Sequence, residues 1–346
     1  MSRIELDPAI VELTPKLREI RHDIHKHPEL GFEEHRTQSL VRRWLEGLGY
    51  EPRECAGTGL VADLHPDRAD RDSIALRADL DALPIHETSD LPYRSVHEGV
   101  SHKCGHDGHT AILLGVSALL RRHADAIEPN VRLIFQPAEE GVDGGGARRM
   151  VAQGALDGVG EVYGLHNWPG FPKGQVRVCR GAIMAQVYEF ETVIEGKGGH
   201  GSQPQVCRDP IVAGAALVSS LQTLVSRAIG SQDAAVVSVG AFNAGEANNV
   251  IPPRAVLRGT IRCFDAKVGA RIAERFEAIC EGIARAHEVS IRPGLESGYP
   301  VLVNDERCAD RVSRVARELV GDKGVAAAGL PLAAAEDFAY FTRERP

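Results

Sequence analysis

Short apolar strands alternate with helical segments through the first half of the chain, and this alternation limits the fold more than any other feature. The strand patterns read DSIALRAD (72–79), VRLIFQ (131–136) and EVYGLH (161–166). A largely apolar helical pattern, HTAILLGVSALLRRH (109–123), lies between the first two. Strands that alternate with helices are typical of a parallel sheet covered by helices. We therefore expect an α/β domain with a mostly parallel sheet.

The middle of the chain shows a different pattern. Alternating strand signals occur at about 175–196, 234–240 and 254–264, and helical signals at about 209–229 and 266–288. Two helices among several strands predict an inserted α+β domain. The expected boundaries place residues 1–177 and 296–346 in the first domain and residues 178–295 in the insertion. Two domains also suit a chain of 346 residues, at roughly 150 residues per domain.

Composition excludes several classes of function. Hydrophobic residues make up 43% of the chain and charged residues 25%, which is typical of a globular protein. A net charge of −8 argues against a nucleic-acid partner, which requires a basic face. No apolar run reaches the ~18 residues of a membrane helix, and the N-terminus does not resemble a signal peptide. Seven scattered cysteines favour a reducing cytoplasm over a disulfide scaffold.

Side chains that can bind metals follow the predicted strands or precede the predicted helix. They occur in DLD (79–81), CGHDGH (104–109) and PAEE (137–140), and at His166. The carboxyl ends of strands in an open α/β sheet share one crevice with the adjoining helix N-termini. The topology therefore predicts that these four segments form one site.

The residue types in these segments indicate a divalent metal. Cys104 and His106 stand two residues apart in a glycine-containing loop, so both can reach one metal centre. Thiolate, imidazole and carboxylate ligands suit zinc, manganese and related ions. Glu139 and Glu140 are adjacent in a segment expected to be extended, so their side chains should point in opposite directions. One of them could then bind metal while the other transfers protons.

Two histidine-containing patterns are weaker candidates for a metal site. HDIHKH (22–27) holds three histidines on a predicted helix, but their angular spread gives no shared coordinating face. Surface or capping roles are expected for them. HEGVSH (97–102) resembles the HExxH pattern of zinc peptidases, but its second histidine comes one position late in a segment that does not look helical. We do not expect a metal there.

Two other kinds of site fit the sequence less well than the metal centre does. GKGGHG (196–201) satisfies the dinucleotide fingerprint, but Pro204 and Pro210 prevent a helix directly behind it and the expected ribose-binding acid is absent. A tight glycine loop that presents His200 is the better interpretation. A cysteine hydrolase with Cys104 as nucleophile would leave the neighbouring acids and His166 without a role.

Nine strings are spread in order along nearly the whole chain: RHDIHKHPELGFEE (21–34), LRADLDALPIHE (76–87), CGHDGHTAILLG (104–115), FQPAEEG (135–141), GLHNWP (164–169), GKGGHGSQP (196–204), NNVIPP (248–253), GTIR (259–262) and AEDFAYF (335–341). Together they resemble the amidohydrolase branch of the aminoacylase and carboxypeptidase-G-like dimetal peptidases. That branch includes hippurate hydrolases, N-acyl-amino-acid amidohydrolases and auxin-conjugate hydrolases.

The resemblance implies a dimetal catalytic domain with an inserted satellite domain through which two subunits form a homodimer. It implies Cys104, His106, Glu140 and His166 as ligands of two divalent ions. Manganese or zinc is expected, with cobalt and nickel as alternatives. The implied substrates are N-acyl or N-aroyl amino acids, which would be hydrolysed to a carboxylic acid and a free amino acid.

The resemblance also implies roles outside the ligand set. Glu139 would be the general base. His200 would come from the satellite domain, reach the active site of the partner subunit and stabilise the oxyanion. Asn249 and Arg262 would bind the carboxylate of the acylated amino acid.

The chain departs from the family pattern in four places. Asp79 and Asp81 stand where relatives have a ligand histidine and the aspartate that orients it, and we expect both to support the site without binding metal. SHK (101–103) replaces the usual Met, His and Ala, and Gln205 stands where a histidine is common. Relatives also carry a further ligand histidine beyond AEDFAYF, whereas the last histidine of this sequence is His287. The alternative function is therefore a truncated, catalytically impaired family member that folds and either dimerises or binds ligand without turnover.

Overall fold

The computed structural model describes residues 8–68, 73–141 and 144–346. The chain divides into two units. The first comprises Met1–Gly181, Asn304–Ala328 and Asp337–Pro346, and the second comprises Ala182–Val303 and Gly329–Glu336.

Helices and strands are numbered in chain order over the described residues. The helices are α1 (Pro8–Lys26), α2 (His35–Gly47), α3 (His106–Arg122), α4 (Gly146–Ala152), α5 (Pro210–Leu221), α6 (Thr223–Arg227), α7 (Ala266–His287), α8 (Glu306–Val320) and α9 (Ala339–Glu344). The strands are β1 (Arg53–Cys55), β2 (Gly59–Asp63), β3 (Ser73–Asp79), β4 (Val131–Gln136), β5 (Val159–Gly164), β6 (Val176–Arg177), β7 (Gly181–Met184), β8 (Gln186–Glu195), β9 (Gly199–His200), β10 (Ala235–Ala244), β11 (Val250–Ile251), β12 (Arg254–Cys263), β13 (Ser290–Arg292), β14 (Leu295–Ser297), β15 (Leu302–Asn304) and β16 (Val325–Ala326).

A five-stranded sheet in the order β1-β2-β4-β3-β5 forms the centre of the first unit. Strand β3 pairs in parallel with both β4 and β5, while β2 runs antiparallel to β1 and β4. Every residue of β4 is buried, as expected for a central strand covered on both faces. The predicted α/β class is confirmed, with antiparallel strands on one side of a parallel core.

Helices α1, α2 and α3 supply one side of the hydrophobic core of this unit. Ile24 from α1, Leu45 from α2 and Leu114 from α3 are fully buried and belong to the same cluster as Leu133 and Phe135 of β4. Burial of each such side chain contributes about 1.5–3 kcal/mol. This packing fixes α3 against the sheet and so determines where its first residues lie.

The second unit is an α+β layer. Its sheet runs β10-β12-β8-β13 with β14 also paired to β8, and all of these pairings are antiparallel. Leu217 of α5 and Phe276 of α7 pack with Leu257 and other residues of one sheet face. Helices α5 and α7 begin just after Asp209 and Asp265, whose carboxylates accept hydrogen bonds from backbone N–H groups of the first turn. These caps explain why both helices start close to the positions expected from the sequence.

One expectation about the first helix was wrong. His25 is buried and has no surface role. Its Nδ1 lies 2.8 Å from Oδ2 of Asp107 and its Nε2 lies 3.2 Å from Oε1 of Glu87. Contacts with these two carboxylates offset the cost of burying the His25 ring. Asp107 and Glu87 are both far from His25 in sequence.

Among the described helices, none combines the length and the apolar character that a bilayer span requires.

The central strand generates a stability prediction. We expect Leu133→Ala to lower the free energy of unfolding by about 2–5 kcal/mol, because Leu133 is fully buried and the truncation leaves a cavity. Leu319→Ala is the matched control, since Leu319 is 59% exposed and its loss should cost no more than about 0.5 kcal/mol. Urea denaturation followed by circular dichroism measures both, and equal effects would contradict the central position of β4.

Candidate metal centre and catalytic site

Four segments of the first unit meet at the carboxyl ends of its three parallel strands. Asp79 ends β3, Glu139 and Glu140 follow β4, and His166 follows β5. Helix α3 begins at His106, three residues earlier than the sequence pattern indicated, so this histidine belongs to the helix. The sheet order places these strand ends side by side, which brings the segments to one crevice.

Gly105 is the residue on which the entry into α3 depends. Its φ of +94° is left-handed, and a Cβ there would lie 2.3 Å from Oδ1 of Asn167. Any larger residue would therefore strain the backbone and displace the side chain of Asn167.

Cys104, His106 and His166 form one group of potential metal ligands. A nitrogen or sulfur atom of each lies within 4.8 Å of those of the other two, and Sγ of Cys104 lies 3.3 Å from Nε2 of His166. His106 also belongs to a second group with Glu139 and Glu140, within the same limit. A single imidazole therefore lies between a thiol–imidazole cluster and a carboxylate cluster.

Asp81 determines which nitrogen of His106 faces these clusters. Nδ1 of His106 lies 2.9 Å from the backbone oxygen of Asp81 and 3.1 Å from its Oδ1. A carbonyl oxygen only accepts, so Nδ1 carries a proton and Nε2 faces the centre. Oδ2 of Asp81 accepts a hydrogen bond of 2.9 Å from the backbone N–H of Glu140. One aspartate thus holds the start of α3 and the loop after β4.

The donor set fits a divalent metal ion. Nε2 of His106 and Oε1 of Glu140 are buried, and neither has a hydrogen-bond partner. Leaving such groups unpaired costs about 1–3 kcal/mol each unless something else binds them. The two atoms lie 3.9 Å apart, beside a thiol and a second imidazole. Sulfur, nitrogen and oxygen donors in this arrangement suit zinc, manganese and similar ions.

The charges around His106 favour a cation at this position. Burial by itself lowers the pKa of His106, but the charge of Asp79 and the hydrogen bond to Asp81 outweigh it and hold that pKa well above its ordinary value. Burial raises the pKa of Glu140 and that of the Cys104 thiol. These acids are taken out of water, so they gain from a positive charge among them.

His109 is near the centre, but its ring is already fully used. The backbone N–H of Asn167 donates to Nε2 of His109 at 2.9 Å, so Nδ1 carries the proton and donates to Oδ1 of Asp79 at 2.7 Å. Asp79, His106 and His109 also lie within 4.8 Å of one another. Because both nitrogens of His109 are engaged, we assign it to supporting the segment that carries His166.

A buried network holds Asp79 in turn. Arg77 donates from Nη1 to Oδ2 of Asp79 at 2.6 Å and from Nε to Oε1 of Gln136 at 2.7 Å. Gln136 and the backbone N–H of Ala147 both donate to the carboxylate of Asp337. Burial would raise the pKa of Asp79, but the charges of His106 and Arg77 outweigh it and keep that pKa well below its usual range.

The expectation that Glu139 and Glu140 point in opposite directions was wrong. Carboxylate oxygens of both lie 3.9 Å from Nε2 of His106. The segment is not extended, because Ala138 has a left-handed φ of +50° and the N–H of Gly141 donates to the carbonyl of Glu139 at 2.8 Å. This local turn directs both carboxylates toward the same histidine.

The other predicted residues belong to the second unit. His200 in β9 is paired with Val250 in β11, and the N–H of Gly201 donates to the carbonyl of Asn249 at 2.7 Å, so His200 and Asn249 occupy adjoining segments. Arg262 lies on β12 and donates from Nη1 to the carbonyl of Ala333 at 3.0 Å.

Comparisons with known proteins identify the family. The family model for peptidase family M20/M25/M40 matches residues 75–346. The hippurate hydrolase of Campylobacter jejuni is 41% identical over 98% of this chain and 88% of its own length. The chain belongs to this family. It is accordingly a hydrolase of the M20 type, as the resemblance implied.

Two further similar proteins extend the comparison. The N-acetyl-L-cysteine deacetylase of Bacillus subtilis is 41% identical over 96% of this chain and 79% of its own length. The crystal structure of the YXEP protein of Bacillus subtilis, a dinuclear metal binding peptidase from the M20 family, superposes with a TM-score of 0.82. Sequence identity is 36%, and the match covers 97% of this chain and 87% of that one.

Sequence reasoning missed several residues that build this M20 site. His109 lies in the CGHDGH string, one helical turn after His106. This spacing could have predicted that the two histidines lie on the same side of the helix. Asp337 lies within AEDFAYF, and the sequence alone indicated no role for it. Arg77 stands inside a buried strand, where an unpaired charge would be too costly, so a buried acidic partner could have been expected.

The position of His109 generates a prediction about metal affinity. We expect His109→Ala to weaken Zn²⁺ or Mn²⁺ binding about 10–100-fold, because it releases the segment beside His166 without removing a ligand. Isothermal titration calorimetry measures the affinity, with His106→Ala as the comparison. An unchanged affinity would refute the support role. A loss as large as that of His106→Ala would make His109 a ligand.

Proposed function

We propose that this chain hydrolyses the amide bond of N-acyl or N-aroyl amino acids to a carboxylic acid and a free amino acid. The observation that carries the proposal is the pair of buried, unpartnered atoms, Nε2 of His106 and Oε1 of Glu140, beside a second carboxylate at Glu139. The names of two relatives, hippurate hydrolase and N-acetyl-L-cysteine deacetylase, support this substrate class.

In this proposal Cys104, His106, Glu140 and His166 hold two divalent ions, with manganese or zinc preferred and cobalt or nickel as alternatives. Bound ions of this kind supply Lewis acidity, which lowers the pKa of water and polarises a carbonyl oxygen. Asp81 and Asp79 support the site, Asp81 by orienting His106 and Asp79 through His109.

Glu139 is the proposed general base. Its side chain is 7% exposed, and its Oε1 accepts a long hydrogen bond of 3.4 Å from the backbone N–H of Asp337. The carboxylate takes a proton from the attacking water and returns it to the leaving amine, a contribution of about 10²–10⁴-fold.

His200 is proposed as the hydrogen-bond donor to the oxyanion. The backbone N–H of Ser202 donates to Nδ1 of His200 at 3.2 Å, so the proton of the neutral ring is on Nε2. His200 is an exposed residue, and an Nε2–H group is the kind of donor that a tetrahedral oxyanion requires. Asn249 and Arg262 bind the substrate carboxylate, for which a guanidinium fixed by the carbonyl of Ala333 is well suited.

We further propose a homodimer formed through the inserted domain, residues 178–295, with His200 serving the partner subunit. Strand β10 ends the sheet order of this unit over ten residues, and Val236 on this strand is 46% exposed. Val212 on α5 is 53% exposed. A long edge strand beside exposed apolar residues favours pairing with a second copy.

The dimer proposal predicts a mass of twice 37.3 kDa in light scattering behind size-exclusion chromatography. A mass of one chain at micromolar concentration would contradict it.

The proposed location is the cytoplasm, because all seven cysteines are free thiols.

The general-base assignment predicts a separation of turnover from metal binding. We expect Glu139→Gln to lower kcat about 10²–10⁴-fold while metal content stays at the parent value, because the amide cannot accept the proton. Glu140→Gln is the matched control, since it alters a proposed ligand and should lower metal content as well. Near-normal hydrolysis by Glu139→Gln would exclude the assignment.

An activity panel tests the whole proposal. Hydrolysis of hippurate, N-acetylmethionine or an indole-acetyl amino acid by the purified chain with added Mn²⁺ would support it and reveal the preferred acyl group. Binding of these compounds with no turnover of any would favour the alternative of a ligand-binding family member without catalysis.

A further inference from the structure

We propose that Glu34 is a positioning residue for Glu139 and acts through the backbone of Ala138. The inference rests on the role proposed above for Glu139. The side chain of Glu34 is fully buried, and its Oε1 accepts a hydrogen bond of 2.8 Å from the N–H of Ala138. Ala138 immediately precedes Glu139, so this contact reaches the catalytic loop from 104 residues away in sequence.

Helix capping does not account for Glu34. The residue stands just before α2, where a side chain often accepts hydrogen bonds from the first turn, but Glu34 makes no such bond. Glu29 does so instead, since its two carboxylate oxygens accept from the N–H groups of Arg36 and Thr37 at 2.7 and 2.8 Å. The carboxylate of Glu34 is therefore directed inward for another purpose.

The turn that leads to Glu34 is strained. Phe32 has a φ of +64°, which is unusual for a bulky residue, and the N–H of Glu33 donates to the carbonyl of Leu30 at 2.9 Å to close the turn. The guanidinium of Arg149 lies 4.0 Å from the centre of the Phe32 ring. Such strain persists only where surrounding contacts hold it. The strained turn at Phe32 leads directly to Glu34, whose side chain is buried.

Ala138 is held in an equally unusual conformation. Its φ of +50° is unfavourable for a residue with a side chain. Its N–H donates to Glu34, and its carbonyl accepts a hydrogen bond of 2.9 Å from the N–H of Gly146. Loss of the Glu34 acceptor would leave a buried N–H without a partner, which is unfavourable. The loop would then relax so that this N–H could find another acceptor, and Glu139 would turn away.

The acceptor function does not require a charge. Burial raises the pKa of Glu34 to about 7. Glutamine is therefore a close substitute, because its carbonyl oxygen can accept from Ala138 while its amide group faces Thr58. Thr58 donates to the other oxygen, Oε2, and so offers a control variant that leaves the Ala138 contact intact.

The kinetic experiment compares Glu34→Leu, Glu34→Asp, Glu34→Gln and Thr58→Val in hippurate hydrolysis with Mn²⁺. We expect Glu34→Leu to lower kcat about 10–100-fold with KM and metal content within about twofold of the parent. Glu34→Asp, whose shorter side chain cannot reach both Thr58 and Ala138, should lower kcat to a lesser degree and serves if the leucine variant does not fold. Glu34→Gln and Thr58→Val should keep kcat within about threefold, although Thr58→Val should lower the melting temperature.

A second readout does not depend on turnover. Hydrogen exchange at the Ala138 amide, measured by mass spectrometry on the metal-free proteins, should accelerate in Glu34→Leu and Glu34→Asp and stay at the parent rate in Glu34→Gln and Thr58→Val. An inactive parent chain would refute the proposed function and leave this measurement to decide on Glu34. Unchanged exchange and kcat in both the leucine and aspartate variants, or an equal loss of kcat in Thr58→Val, would overturn the inference.

Discussion

The hydrogen bonds of Asp81 are the contacts on which the rest of the site depends. This buried aspartate follows β3 and accepts from His106, at the start of α3, and from the backbone N–H of Glu140, after β4. Without those donors its charge would be too costly to bury. These contacts fix the orientation of the His106 ring and the backbone of Glu140. As a result, Nε2 of His106 and Oε1 of Glu140 lie close together without hydrogen-bond partners.

On each side of this centre, a buried side chain accepts a hydrogen bond from a backbone N–H next to a functional residue. His109 accepts from the N–H of Asn167, beside His166, and Glu34 accepts from the N–H of Ala138, beside Glu139. In each case a buried side chain from a distant segment holds the backbone rather than the reactive group. Such an arrangement limits the motion of the functional side chain without using its donor or acceptor atoms.

Much of this architecture could be predicted from the sequence, because strand and helix signals are local. The pattern at 131–136 coincides with β4, the α/β class is confirmed, and family membership and hydrolase activity follow the order of the motifs. The direction of Glu140 could not be predicted, because it depends on the left-handed Ala138. Burial of His25 and Glu34 was missed for a related reason, since their partners lie 24 to 104 residues away.

The turn before α2 has a consequence for chain length. Surface turns usually tolerate insertions and deletions. This one separates Glu29, whose carboxylate accepts from N–H groups in the first turn of α2, from Glu34, whose carboxylate accepts from the N–H of Ala138. Adding or removing one residue between them would shift one acid away from its partners, and Phe32 would lose its left-handed position. The number of residues in this turn is therefore as constrained as the identity of the residues in the catalytic loop.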